Sequence, residues 1–83
     1  MKQNYPNPFN PSTTIEFSIP QNQHVEIYVY NILGQKISTL IDADLGAGQH
    51  KIKFDANNLA SGVYFYSLIS NGKIQTRKMM LVR

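Results

Sequence analysis

Apolar and polar residues alternate along most of the chain, with the period of two residues that is typical of β-strands. The clearest example is the segment 49–55, in which His50, Ile52 and Phe54 share one face and the intervening residues are polar or charged. The alternation predicts six strands, over residues 13–19, 24–31, 35–42, 49–55, 63–70 and 73–82. No segment shows the sustained period of 3.6 residues that an amphipathic helix requires. The sequence therefore predicts an all-β chain.

Turn residues separate the predicted strands and fix the pairing of the last two. Asn71-Gly72 favours a two-residue type I′ turn, which sets Ser70 opposite Lys73. Counting outward from this turn pairs Ile69 with Ile74, Tyr66 with Arg77, Tyr64 with Met79 and Val63 with Met80. Gly34 is expected to adopt a positive φ in a tight connection between two earlier strands. The spacing of strands and turns predicts a small antiparallel immunoglobulin-like β-sandwich of about six to seven short strands.

The segment 4–12 precedes the first strand and holds three prolines and three asparagines. Proline removes backbone donors and favours extended geometry in the residue before it, so we predict a stiff, extended entry arm. Tyr5 and Phe9 are expected to pin the arm to the domain by burying their rings. The predicted organisation is a single domain, with the entry arm over residues 1–12 and the sandwich over residues 13–83.

The net charge of +3 is unevenly distributed along the chain. Residues 56–83 carry Lys73, Arg77, Lys78 and Arg83 and no acidic residue. Two interpretations stay open: basic side chains on a terminal strand discourage edge-to-edge association, or they form a face that meets an anionic partner. The absence of cysteine excludes disulfides and thiolate metal sites. No apolar run approaches the roughly 20 residues of a membrane span, so no membrane insertion is predicted.

Candidate catalytic and metal-binding residues are few, and the sequence does not group them. His24 and His50 lie in different predicted strands, and neither has a second histidine or a carboxylate at a ligand spacing. We interpret His50 as a half-buried packing residue. The segment Asp42-Ala43-Asp44 begins like a calcium-binding EF-hand loop but lacks the glycine and the closing glutamate. We therefore predict no catalytic, metal-binding or cofactor-binding residues and no enzymatic activity.

Tyrosines at alternating strand positions suggest a stacking surface for bases or sugars. The four are Tyr28, Tyr30, Tyr64 and Tyr66. The chain lacks the continuous basic track that a nucleic-acid interface needs, so no nucleic-acid partner is predicted. Binding of sugar rings by the same tyrosines stays open as an alternative.

Several motifs resemble those of one bacterial family. They lie in the opening 4–15, in the segment 25–37, and in the segment 59–66 taken together with the end 78–83. The motif residues are Asn4, Tyr5, Pro6, Asn7, Pro8 and Phe9 of the arm, and the turn residues Leu33, Gly34, Ser61, Gly62, Val63 and Tyr64. In order and spacing, these segments resemble the type A C-terminal sorting domain of the type IX secretion system. Flagellar hook-capping proteins carry a similar Gly-Val-Tyr phrase, but the opening rich in proline and asparagine favours the sorting domain.

The resemblance implies a function in export. Such domains end cargo proteins that cross the inner membrane by an N-terminal signal, and they direct the cargo through the outer-membrane type IX translocon. A sortase-like cysteine protease commonly removes the domain and links the cargo to an anionic lipopolysaccharide. The implied partners are the translocon shuttle and sortase components and the upstream cargo of the same chain. The implied location is the periplasm in transit, then the cell surface or the medium.

The first residues lack the apolar segment of a signal peptide, so either the protein is cytosolic or the sequence is a piece of a longer chain. The resemblance favours the second interpretation, in which the sequence is the C-terminal part of a longer secreted protein. The competing function is a passive accessory or carbohydrate-binding β-sandwich module of such a protein.

Two segments are candidates for recognition by the export machinery. The last strand is expected at or near a sheet edge, where it would bind a partner by β-augmentation or in an apolar groove. Its candidate residues are Lys78, Met79, Met80, Leu81, Val82 and Arg83. The packing alternative places Met80 and Val82 in the core and leaves Lys78 and Arg83 solvated. The entry arm is the second candidate, and its alternative is a rigid linker.

Overall fold

The computed structural model describes all 83 residues and contains six strands and no helix. The strands are β1 (Ser12–Ile19), β2 (Gln23–Tyr30), β3 (Lys36–Leu45), β4 (Gly48–Asp55), β5 (Gly62–Ser70) and β6 (Lys73–Leu81). All six predicted strands are confirmed, and only β3 differs at an end by more than one residue, because it continues to Leu45. Its last residues do not alternate, but they pair with β2, where Asp44 lies opposite His24. No helix of the length and apolarity that a membrane crossing requires is present.

Two antiparallel sheets form the fold. β1 pairs with β4 in a two-stranded sheet, and the other four strands form a sheet in the order β3-β2-β5-β6. β4 follows β3 along the chain but belongs to the other sheet, so the chain crosses between the layers. The predicted fold class, a small immunoglobulin-like β-sandwich, is confirmed. β6 lies at one edge of the larger sheet, as expected for the last strand.

The core lies between the two sheets and is built from their alternating apolar faces. On β2, for example, Val25, Ile27 and Val29 have no exposed surface. The larger core cluster combines residues of both sheets and of the entry segment: Phe9, Ile15, Val29, Phe54, Ala56, Tyr64, Tyr66, Met79 and Leu81. The smaller cluster contains Phe17, Ile19, Val25, Ile27 and Leu68. Burial of each large apolar side chain contributes about 1.5 to 3 kcal/mol, so these clusters are the main source of stability.

The β5–β6 hairpin has the predicted register throughout. Ser70 lies opposite Lys73, and the pairing continues without interruption to Gly62 opposite Leu81. Asn71 and Gly72 both have positive φ, of 52° and 75°, as a type I′ turn requires. This turn geometry matches the twist of the two strands, which explains why a two-residue signal fixes nine cross-strand pairs.

Candidate recognition surfaces

The last strand divides the predicted recognition segment between core and solvent. Met79 and Leu81 are each only 1% exposed, whereas Met80 is 41% and Val82 is 48% exposed. The packing alternative, which placed Met80 and Val82 in the core, is therefore wrong. The cause is the hairpin register, which sets Met79 opposite the buried Tyr64, and opposite residues of paired strands share one face.

Arg83 is directed back onto the protein. Its Nη1 donates hydrogen bonds to the carbonyl oxygens of Ala56 at 2.8 Å and Leu59 at 2.9 Å, and its backbone N–H donates to Ser61 Oγ at 3.0 Å. The guanidinium thereby satisfies two carbonyl groups of the connection between β4 and β5. Lys78 is exposed. Of the two basic residues proposed for partner binding, the structure therefore gives Arg83 an internal role and leaves Lys78 directed to solvent.

The two aromatic residues of the entry arm differ in burial. Phe9 is 1% exposed and packs against Phe54 with ring centroids 6.2 Å apart, so it pins the arm as predicted. Tyr5 is 47% exposed, so the expectation that its ring is buried is wrong. Tyr5 pairs with Thr14, which lies on the outward face of β1. Its hydroxyl donates a hydrogen bond of 3.1 Å to Glu16 Oε1 on the same face.

Asn4 is the buried polar residue of the arm, at 2% exposure. Its backbone N–H donates to the Tyr66 hydroxyl at 2.8 Å, and its Nδ2 donates to Thr13 Oγ1 at 2.9 Å and to the Pro6 carbonyl at 3.2 Å. The Tyr66 hydroxyl in turn donates to the Lys2 carbonyl at 3.2 Å, and burial raises the pKa of Tyr66. This network was not predicted from the sequence, because Tyr66 is 62 residues away from Asn4 along the chain.

The entry arm closes one side of the sandwich by bonding to both sheets. Toward β1, Tyr5 and Thr14 exchange two backbone hydrogen bonds of 3.0 and 2.8 Å. Toward β6, the Phe9 N–H donates to the Met80 carbonyl at 2.9 Å, and the Val82 N–H donates to the Phe9 carbonyl at 3.0 Å. The two candidate recognition segments, the arm and the last strand, are therefore parts of one surface.

The Leu33-Gly34 motif forms the turn between β2 and β3. Gly34 has the expected positive φ, at 82°. The Asn31 side chain holds the turn, because its Oδ1 accepts hydrogen bonds of 3.0 Å from the backbone N–H groups of Leu33 and Gln35. Leu33 is 79% exposed and its neighbour Ile32 is 70% exposed. The motif therefore specifies a tight turn that displays apolar side chains.

The second turn motif, Ser61 to Tyr64, lies beside the end of the last strand. Gly62 pairs with Leu81, and Val63 pairs with Met80. The Tyr64 hydroxyl donates to the Ala60 carbonyl at 2.7 Å, which fixes the bend before β5. This motif thus supports the strand end on which the arm also docks.

A comparison with protein-family models finds that the secretion system C-terminal sorting domain matches residues 3–82. The match includes the arm motif, both turn motifs and all six strands. The chain belongs to this family. Neither the curated proteins nor the solved structures gave a match. Membership implies a type IX sorting-signal role, a cargo protein that is secreted or displayed at the cell surface, and contact with type IX machinery in general.

His24 of the sorting domain lies between two carboxylates of the neighbouring strand. Its Nδ1 is 2.8 Å from Asp44 Oδ1, and its Nε2 is 2.8 Å from Asp42 Oδ1. The sequence spacing predicted no carboxylate partner for His24, but strand pairing supplies two, because it brings together residues about 20 positions apart. The hydrogen bond with Asp44, followed by the one with Asp42, raises the pKa of His24.

The same pairing places Glu26 close enough to His24 and Asp42 for the three to share a cation. Exposed acidic groups of this kind are common in proteins that bind no metal, and the ring nitrogens of His24 are already occupied by carboxylates. His50 stacks on Phe17 at 5.4 Å and contacts the Gly46 carbonyl through Nε2 at 2.7 Å, as a half-buried packing residue would.

The four tyrosines on the strands of the sorting domain do not form one stacking surface. Tyr64 and Tyr66 are buried in the core, at 8% and 0% exposure. Tyr28 and Tyr30 lie on the opposite, outer face of the sheet, where their rings meet edge to face with centroids 6.5 Å apart. Lys36 Nζ lies 3.6 Å from the centroid of the Tyr28 ring. Tyr28 also donates a hydrogen bond to Glu26, and this bond, together with burial and the nearby negative charges, raises the pKa of Tyr28 to about 12.

Proposed function

We propose that this sorting domain directs a larger cargo protein of the same chain through the outer-membrane type IX translocon, for release or for anchoring at the cell surface. The observation that carries the proposal is the family match over residues 3–82. In this role the domain performs no chemistry of its own. Its partners are the translocon shuttle and sortase components, and it passes through the periplasm on the way.

Recognition is assigned to the surface on which the entry arm meets the last strand. Asn7 and Pro8 border a shallow groove together with Lys78, Met79 and Met80. The Met80 N–H donates to Asn7 Oδ1 at 3.0 Å, so the groove is fixed by the arm itself. A partner that binds this groove contacts both ends of the sorting domain at once. It can do so only when the domain is folded, because folding brings the two ends together.

The competing function, a passive or sugar-binding module, has less support. Sugar-binding surfaces present several aromatic rings on one accessible face, and here half of the four tyrosines are core residues. Of the remaining pair, Tyr28 is engaged by Lys36 and Glu26, and its ring meets that of Tyr30 edge to face. The family match also describes a sorting domain rather than a sugar-binding one.

A reporter fusion tests the proposal. A fluorescent protein is given an N-terminal export signal and residues 1–83 at its C-terminus, and it is expressed in a type IX-competent bacterium and in a translocon mutant of the same strain. We expect reporter at the surface or in the medium only in the competent strain. Retention in the periplasm of both strains, together with binding to polysaccharide beads, would favour the accessory module instead.

Surface substitutions test the assigned groove without removing core residues. In a double variant, Met80→Ser changes an exposed side chain of the groove and Val82→Ser changes the exposed side chain that follows β6, and Ile32→Ser is the matched control on the β2–β3 turn. We expect the double variant to fold normally and to be exported several-fold less than wild type, while the control is exported normally. Equal export of both variants would remove the groove from the proposal but would leave the sorting function intact.

A further inference from the structure

The outer edge of β6 is only partly covered. The pairing of Ser70 with Lys73 across a two-residue turn directs the backbone groups of odd-numbered β6 residues toward β5, and those of even-numbered residues away from it. The bonds of the arm follow this pattern, since they reach the backbone of Met80 and Val82. The remaining even-numbered residues of β6 are Ile74, Thr76 and Lys78.

Along β6 toward Ile74, Lys78 is the last residue whose backbone forms a hydrogen bond with the entry arm. Gln3 Nε2 donates to the Lys78 carbonyl at 2.7 Å, and the arm continues from there toward Met80 and Val82. In the other direction, the hydrogen bonds between Met1 and β6 involve side chains of β6 and not its backbone: the Met1 amino group donates to Gln75 Oε1, and the Met1 carbonyl accepts from Arg77 Nε. Neither bond uses an outward backbone group of β6, so the row of outward backbone groups from Ile74 to Thr76 is left free.

Five backbone groups of β6 therefore have no partner within the chain: the N–H groups of Ile74, Thr76 and Lys78, and the carbonyl groups of Ile74 and Thr76. They form a straight row, because the β5–β6 register has no bulge. Ile74 adds an apolar contact beside them, since its side chain is 67% exposed. The row offers the hydrogen bonds of a short added strand.

The other edge of the sheet is a poorer template. The pairing of β3 with β2 contains two register shifts, which bend an edge and interrupt its row of backbone groups. β3 also carries Asp42 and Asp44 together with Lys36, so its charges have both signs. β6 carries Lys73, Arg77 and Lys78 and no acidic residue. A strand added to β6 therefore meets positive charge only.

We infer that the edge of β6 from Ile74 to Lys78 binds an extended segment of a partner protein, which adds a strand to the sheet and carries Asp or Glu residues opposite the basic side chains. The inference rests on the proposed function, because it names the kind of partner segment that the export machinery supplies. It assigns two adjoining stretches of the last strand to two tasks: the backbone from the Lys78 carbonyl to Val82 holds the arm, and the backbone from Ile74 to the Lys78 N–H holds the partner.

Proline at position 74 tests the backbone part of this inference. Ile74→Pro removes one outward N–H and places a ring on the open edge, but it removes no bond of the β5–β6 ladder. Ile74→Thr is the matched control, because it keeps the N–H and a β-branched side chain. In the reporter fusion we expect Ile74→Pro to lower export about tenfold and Ile74→Thr to lower it much less. Thermal unfolding of each purified domain shows whether the fold is retained.

Charge reversal tests the nature of the partner and does not depend on the proline variant. Lys78→Glu changes an exposed residue beside the open edge, and Lys53→Glu changes an exposed lysine on β4 of the other sheet. We expect Lys78→Glu alone to reduce export. If Lys78→Glu and Ile74→Pro are both exported like wild type, the inference is overturned while the sorting function stands.

Two further outcomes have definite meanings. Failure of the wild-type fusion to leave the cell, with all variants alike, overturns the proposed function and with it the partner inferred here. Sedimentation of the purified domain identifies a second copy as the occupant if the wild type dimerises and Ile74→Pro does not, and that result would overturn the assignment to an acidic partner segment.

Discussion

At the scale of single residues, the arm shows how burial decides which of two similar side chains stabilises the fold. Phe9 fills a place in the larger core cluster, and Tyr5 lies on the outward face of β1. Both are aromatic and both belong to the same motif, so their chemistry does not distinguish them. The difference is that Phe9 lies between the two sheets and Tyr5 lies beside only one of them.

The first prediction compares these two residues. We expect Phe9→Ala to lower the free energy of unfolding by about 3 to 5 kcal/mol, because it leaves a cavity beside Phe54. Tyr5→Ala is expected to cost less than about 1 kcal/mol, since the lost contact is exposed. Urea unfolding followed by circular dichroism measures both changes. Similar losses for the two variants would show that the arm is not anchored as described.

His24 gives the fold a dependence on pH. Because the carboxylates of Asp44 and Asp42 raise its pKa in the folded state, the protonated ring stabilises the fold. This contribution is fully present below the pKa of the unfolded chain, near 6.5, and it is lost as the pH rises through the higher pKa of the folded state.

The second prediction follows from the raised pKa of His24. An NMR titration of the His24 ring is expected to give a pKa above 6.5, and Asp44→Asn is expected to lower it relative to wild type. Unfolding midpoints measured on either side of this pKa should differ more in wild type than in His24→Gln. A wild-type pKa at or below 6.5 would mean that the two carboxylates do not engage the ring in solution.

At the scale of elements, the β5–β6 hairpin is the part of the fold most directly specified by local sequence. Its turn has two residues with positive φ, and its register follows from them for nine pairs. The hairpin also carries the open edge and the strand end on which the arm docks. A substitution at the turn that shifts the β5–β6 register would therefore alter both proposed recognition surfaces.

The third prediction compares two glycines. Gly72 has a φ of 75°, so Gly72→Ala introduces strain of about 1 to 2 kcal/mol although no atom lies near the added carbon. Gly46 has no such φ and only an ordinary contact, with Asn22 Oδ1 at 3.8 Å from an added Cβ, so Gly46→Ala is the control. Thermal unfolding midpoints should fall for Gly72→Ala and stay nearly unchanged for Gly46→Ala. The reverse order would contradict the type I′ assignment.

At the scale of the whole molecule, the two ends of the chain depend on each other. Phe9 bonds to the backbone of Met80 and Val82, and Met79 and Leu81 share a core cluster with Phe9. A chain of this length has a stability of roughly 4 to 12 kcal/mol, which is comparable to the contribution of a few such core residues. Loss of either end therefore affects the entire fold.

The fourth prediction concerns truncation. Deletion of residues 79–83 removes two buried side chains and the backbone partners of Phe9, so we expect the shortened domain to be largely unfolded by circular dichroism and one-dimensional NMR. Met80→Ser with Val82→Ser should remain folded. If the truncated domain keeps a cooperative unfolding transition, the closure between arm and last strand contributes less than described, and an export defect of the truncation reports recognition directly.

The sequence by itself determined the strands, the hairpin register and the family, because each depends on local signals: alternation with a period of two, a turn dipeptide and short motifs. Tertiary structure decided the rest. Three features depend on contacts between residues distant along the chain. They are the strand order β3-β2-β5-β6, the hydrogen bond of the buried Asn4 with Tyr66, and the hydrogen bonds of His24 with Asp42 and Asp44. Alternation shows that the two faces of a strand differ. Only the packing of one layer on another decides which of Met79 and Met80 faces the core and which part of an edge remains open.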